Sequence, residues 1–487
     1  VERLLDEQAQ EEPLHYQRLA ELLPEVSANT LFASILNHIR HATQQGKASR
    51  FFIRRQEYIG LSRWNAASMT PRSIDETTLK MPGDSTSVQE YFERMGSWIR
   101  EREERGRGLP PTSDSSEMAG EARSSPIELR IGISGRIGHY YAIKVDSELG
   151  DGWGAVKVSV VQKLTERVEQ VQALFSRSQL DRSEEKLAES FGRDLFETFL
   201  APQDIGRLYT LAHFQASEQK RRLRLILSIA DPALAMLSWE LLYDTFSPSY
   251  LSLRRESSSI IREISRLSRR LPLRVEKAPL RILGLIASPA ESESLQIEQE
   301  KAVIEEALAR LLDEQRAELH WLETGSWDAL ATAMRNGPWH IFHFIGHGGF
   351  DEVRQEGFIM LVDEEGSSVP VRAEELGQLL SDNDLRLAVL NACESATGSG
   401  STPLASTAAT LMREGIPAVL AMQHLIKDEA AVEFSREFYE ALASGYTIEE
   451  AVICARRALT RQAAVSIEWG IPTLYLRALD SQLLAPA

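Results

Sequence analysis

Apolar positions in the first half-hundred residues recur at helical spacing. In PLHYQRLAELLP, Leu14, Leu19, Leu22 and Leu23 share one face behind Pro13. In SANTLFASILNHIRHATQQG, Leu31, Ile35 and Ile39 form an i, i+4, i+8 stripe, with Ser27 or Asn29 as cap and Gly46 as stop. SRFFIRRQEYIGLSRW then reads as two short strands about a turn at Arg55–Gln56–Glu57. A helical stripe returns over 86–104 through Val88, Phe92 and Met95, continued by Trp98 and Ile99. It could pack locally or pair with a second copy of the chain. Residues 106–125, GRGLPPTSDSSEMAGEARSS, are nearly free of large apolar side chains and read as a flexible, solvated linker.

Beyond the linker the period changes repeatedly. IELRIGISG and HYYAIKVDS alternate at period two and predict an antiparallel pair. Helical stretches over about Lys163–Ser178 and on to Leu200 precede a strand, RLRLILSIA. The apolar runs LRILGLIASP, AELHWLE, WHIFHFIGHGG, LRLAVLNACES and IPAVLAMQ then alternate with helical patterns such as IEQEKAVIEEALARLLDEQ and DEAAVEFSREFYEALASG. Continuous apolar strands separated by helices predict a mostly parallel α/β sheet covered on both faces.

Composition narrows the classes. With 487 residues and 43% hydrophobic content, two to four domains and a large core are expected. The balance of 71 acids to 54 bases gives a net charge of −17, which excludes a protein whose whole surface grips nucleic acid. The charge is uneven, however. Residues 1–39 hold two bases and seven acids, whereas Arg40–Arg63 holds six bases (Arg40, Lys47, Arg50, Arg54, Arg55, Arg63) and one acid. A basic hairpin on an acidic protein suits a phosphate contact, with a solvated or protein-binding hairpin as the alternative. Two cysteines, Cys393 and Cys454, exclude a disulfide framework and a multi-cysteine zinc site, and no metal or cofactor is expected. No apolar run approaches 18 residues, so no membrane span is expected. The start at Val1, without a signal-like segment, predicts a trimmed or incomplete N-terminus and a cytoplasmic location.

In an open parallel sheet, reactive groups sit just beyond the C-terminal strand ends. His347 follows the strand in HIFHFIGHGGF, and Cys393 ends the strand in LRLAVLNACES, 46 residues later. A thiol and an imidazole on neighbouring strand ends form a candidate nucleophile–base pair. The amides of Gly348 and Cys393 are candidate oxyanion donors. Against this, a single cysteine is ordinarily a small buried hydrophobe and a single histidine a satisfied polar residue. His343 shares the strand face of His347 and reads as support or core. Cys454, in AVICARRAL, reads as structural.

Two resemblances add to these readings. PLHYQRLAELLP, LFASILNHIRHATQQGKASRFFIRRQEYIGL and their order resemble a HARE-type winged helix-turn-helix over residues 1–66, followed by a helical extension over 67–105. Such modules touch DNA or act as adaptors, which would make Lys47, Arg50, Arg54 and Arg55 nucleic-acid contacts. PLRILGLIASP, EQEKAVIEEAL, WHIFHFIGHGGFDE, LRLAVLNACES, GIPAVLAMQ and WGIPTLYLR, with WELLYD upstream, resemble a CHAT domain over 126–487. That implies a caspase-like, mostly parallel sheet with flanking helices, divided into an N-terminal half (126–278) and a catalytic half (279–487). It also implies a cysteine endopeptidase acting on protein substrates, with His347 as general base and acid and Cys393 as nucleophile. Many CHAT proteins carry TPR repeats; here a winged-helix pattern stands in their place. A pocket for a basic substrate residue would need a carboxylate, and Asp428, Asp351 and Glu394 are the candidates, Asp428 first by family analogy. Asp428 could equally cap the helix that follows it. A non-catalytic adaptor and a DNA-binding regulator are the alternative functions. The family also suggests, without showing it, a role in bacterial defence or cell death.

Overall fold

The structure, a computed structural model, describes residues 125–487 apart from 178, 255–257, 265–272, 277–278, 288–294, 382, 393–402, 463–465, 479 and 485–487. Before residue 125 it describes three strands, β1 (Leu14–His15), β2 (Phe51–Arg54) and β3 (Tyr58–Leu61). The chain divides into two compact units, Val1–Ala122 and Arg123–Ala487.

In the first unit the strands form a sheet in the order β1-β3-β2. β2 and β3 pair antiparallel from Phe51↔Leu61 to Arg54↔Tyr58, the two strands expected on either side of residues 55–57. Leu14 and His15 differ from expectation. They are not the start of a helix but pair with Ile59 and Tyr58 of β3. Pairing to a strand more than 40 residues away overrides a local spacing that two residues cannot define. Arg54 ends β2, while Lys47, Arg50 and Arg55 lie outside the described residues, as do the helices read over 16–46 and 86–104 and the linker up to 124.

The second unit opens with an antiparallel meander, β4 (Ile127–Ile137), β5 (Tyr140–Ser147) and β6 (Gly150–Lys157). Its alternation buries Ile127, Leu129, Ile131 and Ile133 on one face. Four helices follow: α1 (Val158–Thr165), α2 (Val168–Phe175), α3 (Arg182–Phe199) and α4 (Gln203–Glu218). The single helix expected over 163–178 starts earlier, where Val158, Val161 and Leu164 are buried, and breaks into two between Thr165 and Val168. Asp181 starts α3 with a capping box, accepting from the Glu184 amide while Glu184 accepts from its own. After β7 (Leu223–Ile229) come α5 (Pro232–Ala235), a 3-10 turn at Trp239–Leu241, β8 (Tyr243–Asp244), β9 (Ser249–Tyr250) and β10 (Ser258–Glu263).

The remaining elements are β11 (Leu280–Ala287), α6 (Leu295–Asp313), β12 (Ala317–Trp321), α7 (Trp327–Arg335) and β13 (Ile341–Gly346). A small hairpin sheet of β14 (Gly348–Asp351), β15 (Glu356–Val362) and β16 (Ser368–Arg372) precedes α8 (Ala373–Ser381) and β17 (Leu387–Ala392). Then come α9 (Pro403–Glu414), β18 (Ala418–Met422), α10 (Asp428–Ala443), α11 (Ile448–Gln462) and β19 (Pro472–Leu476). One sheet of eleven strands runs β12-β11-β13-β17-β18-β19-β10-β7-β4-β5-β6. β12 to β18 are mutually parallel, β19 turns antiparallel to β18, and β10, β7 and β4 run parallel to β19. This is a mixed α/β fold with a large, mostly parallel sheet and flanking helices.

Alternation divides β13 and β17 between two cores. Ile341, Leu387 and Val389 pack with Ile304 and Leu308 of α6 and Phe434 and Phe438 of α10. Phe342, Phe344, Ala388 and Leu390 pack on the other face with Leu330 of α7, Leu376 of α8 and Leu411 of α9. Each fully buried Leu, Ile or Phe contributes about 1.5–3 kcal/mol, so both strands are held firmly from both sides. Among the described residues, no helix is long and apolar enough to cross a membrane.

Candidate functional site

Adjacent parallel strands β13 and β17 pair in register from Ile341↔Leu387 to Gly346↔Ala392. Both strands end at that last pair. His347 is the residue after Gly346, and Cys393 the residue after Ala392; Cys393 and Glu394 lie outside the described residues. Gly346 is needed for close approach. A Cβ there would stand 2.8 Å from the Ala287 carbonyl oxygen of β11 and 2.7 Å from the Phe344 ring.

His347 is half-buried, and its carbonyl accepts the Met360 amide at 2.8 Å. The chain therefore passes from the large sheet straight into the β14–β15 hairpin at this residue. The His347 carbonyl thus points at β15 just ahead of the first ladder pair, Gly348↔Ile359, and the trans peptide places the Gly348 amide on the opposite side. A side chain at Gly348 would meet Leu404 of α9 at 2.5 Å, which keeps this position bare.

The three carboxylate candidates differ. Asp351 closes its own turn: Oδ1 accepts the Val353 and Arg354 amides, and Oδ2 accepts Arg354 Nη1 at 2.7 Å. Those hydrogen bonds, the Arg354 amide first, hold its carboxyl below the usual range. Asp428 is the first residue of α10, with Lys427 in the cap position, so it is not the cap. Its charge meets the positive end of the helix, and the loop before it continues from β18, the sheet neighbour of β17. Glu394 lies outside the described residues. Cys454 sits half-buried in mid-α11 between the buried Ile453 and Ala455.

A buried polar cluster beneath the two strand ends is not read from the sequence. Glu300 of α6, 2% exposed, accepts the Asn391 side-chain amide and the Ser435 hydroxyl, the latter at 2.6 Å. It stands 3.6 Å from His343 Nε2, while His343 Nδ1 meets the Tyr439 hydroxyl at 2.9 Å. Burial, then the Glu300 carboxylate, pushes the Tyr439 hydroxyl far up. The available signal is Glu300 itself, four residues before Ile304 on the apolar stripe of an acidic helix.

A second cluster joins the two halves of the sheet. Arg262 of β10 clamps Glu240 with bonds of 2.6 and 3.2 Å and donates to Gln423 at 2.9 Å. Gln423 in turn donates to Glu240 at 3.0 Å. Glu240 belongs to the WELLYD turn, and Gln423 begins the loop after β18. Beside them His424 stacks on Phe175; burial and then Arg262 push its imidazole down to about 3.

The sequence pattern of the CHAT domain family matches residues 189–476. No curated protein matches the chain. Among solved structures, chains of the Saccharomyces cerevisiae separase–securin complex are similar to it. The 3.0 Å crystal structure aligns at 14% identity with a TM-score of 0.42, and the 2.6 Å structure at 13% and 0.41. Each alignment covers 72% of this chain and 30% of the other, so the chain spans under a third of those relatives' length.

Proposed function

The chain belongs to the CHAT domain family, and from that premise we propose that it is a caspase-like cysteine endopeptidase with a Cys393–His347 dyad. The observation that carries this reading is the register Gly346↔Ala392. Paired strands lie about 4.8 Å apart, and in sequence His347 and Cys393 each follow that last pair by one residue. Groups carried one residue beyond the same register pair are candidates to meet.

In the proposed reaction His347 takes the Cys393 proton, and the thiolate attacks the substrate carbonyl. The Gly348 amide, turned out of its ladder, and the Cys393 amide receive the developing oxyanion. The imidazolium then returns its proton to the leaving amine. Water, deprotonated by His347, releases the acyl group and restores the thiol. Asp428 is proposed to receive a basic substrate residue, since it begins the helix that follows the β18 end. Asp428→Ala should then raise KM for Arg and Lys substrates more than it lowers stability; a preference for acidic or apolar residues would end that part. The direct test of the function is a peptide-library cleavage screen, with Cys393→Ala as control. Cleavage retained in the control contradicts the dyad, and no cleavage or labelling by either protein favours the adaptor reading.

For the first unit we propose a regulatory winged-helix module whose basic segment meets nucleic acid. Support is the charge reversal at Arg40–Arg63 and the β2–β3 hairpin within it. Roughly three or four phosphate contacts would give a log K against log salt slope of about −3 to −4. The full chain should show that slope and lose it with Arg50, Arg54 and Arg55 changed to Glu. No binding at low salt would make the module a protein adaptor.

A further inference from the structure

We infer that Glu300 is a positioning residue for the Cys393–His347 pair, acting through the buried amide of Asn391 and the ring of His343. The inference rests on the dyad proposed above.

Register puts the relevant side chains on one face. His343, Ile345 and His347 alternate along and just beyond β13, and Asn391 stands opposite Ile345 on β17, two residues before Cys393. α6 and α10 cover this face. Glu300 reaches from α6 to three elements at once: Asn391 on β17, Ser435 on α10 and His343 on β13. Tyr439 on α10 holds the far side of the His343 ring.

Such a group is costly to bury without a role. A carboxylate 2% exposed loses its water shell, and its hydrogen bonds must replace it. An apolar residue would be easier to pack among Ile304, Val389 and Phe438. What the carboxylate adds is direction, because it fixes the ends of β13 and β17 relative to each other in the layer just below the reacting side chains. Among the described residues, Asn391 Oδ1 accepts no hydrogen bond, so the tie to Glu300 is what orients that amide. Loss of the tie would free the last turn of chain before Cys393. A misplacement of about 1 Å between reacting groups can cost about 100-fold in rate.

The test uses the full chain in a Cys454→Ala background, so that iodoacetamide reports Cys393 alone. Two quantities are read: the pH profile of alkylation, and kcat and KM on the best peptide from the cleavage screen. With the dyad assembled, the thiol titrates well below its ordinary value of about 8.5. Glu300→Gln keeps the volume and loses the charge. It should return the alkylation profile toward about 8.5 and lower kcat about 100-fold with little change in KM. A role in stability alone would leave both unchanged in folded protein, and that result overturns the inference while the dyad stands. An ordinary thiol profile with no cleavage already in the background protein overturns the dyad and the inference with it. Should Glu300→Gln fail to fold, Ser435→Ala removes one of the same carboxylate's donors. It should shift the profile in the same direction by less, and background-like behaviour there overturns the inference.

Discussion

In the proposed dyad His347 and Cys393 act only as a unit, because neither an unassisted thiol nor an isolated imidazole cleaves an amide at a useful rate. Cys393→Ala and His347→Ala should each lower kcat/KM on the order of 10⁴-fold or more, and the double variant should be no worse than either. Steady-state kinetics on folded protein checks this; additive losses would mean independent roles. His424 carries a different expectation. Its imidazole titrates at about 3 in the folded chain against about 6.5 when unfolded. Between those values the unfolded chain binds a proton that the folded chain refuses, so stability falls as pH falls through that window and is flat above it. From pH 7 to pH 5 this group should remove roughly 2 kcal/mol. Burial lowers His340 and His213 as well, so the wild-type slope is steeper still. Urea unfolding at both pH values should show His424→Gln losing less than wild type; an equal loss would contradict the assignment.

At the scale of elements, close contacts decide where propensity would mislead. Gly192 lies inside α3, where Ala would ordinarily add about 1 kcal/mol of helix stability. A Cβ there would stand 2.0 Å from the Leu241 carbonyl oxygen in the WELLYD turn, and backbone cannot give way cheaply. Overpacking of this kind costs about 1–3 kcal/mol or more, so Gly192→Ala should destabilise on net by urea titration. A stabilised variant would show that the turn can move. The same physics explains which elements are legible in the sequence. β11, β13, β17 and β18 are, because they are buried on both faces and read as unbroken apolar runs. β6 is not: its glycines look like loop, yet Gly152 and Gly154 are bare because Leu208 and Ile205 of α4 press on them, 2.8 and 2.5 Å from where a Cβ would sit. His347 is legible as a strand-end residue. Glu300 is not, since its partners Asn391 and Ser435 lie 91 and 135 residues away in sequence.

The described body from 125 onward is built as one sheet, so its two halves are not expected to stand alone. One apolar cluster includes Ile131 and Phe196 of the N-terminal half together with Ile282, Phe434 and Ile471 of the other. The buried Arg262–Glu240–Gln423 group crosses the same boundary, and separating the halves would strip the Arg262–Glu240 pair of the Gln423 amide that bonds to both. Residues 126–278 and 279–487 should therefore unfold in a single urea transition within the full chain. Separate transitions by intrinsic fluorescence and circular dichroism would contradict a shared core. The proposed chemistry is narrower than the architecture: Cys393 as nucleophile, activated by His347, the two following the paired ends of β17 and β13 in sequence. The measurement that tests it most directly is mass-spectrometric mapping of the adduct formed with a peptidyl acyloxymethyl ketone. One adduct is expected, on Cys393, whose formation collapses in His347→Ala while Cys454 stays unmodified. An adduct on Cys454, or one on Cys393 that forms equally fast without His347, would contradict it.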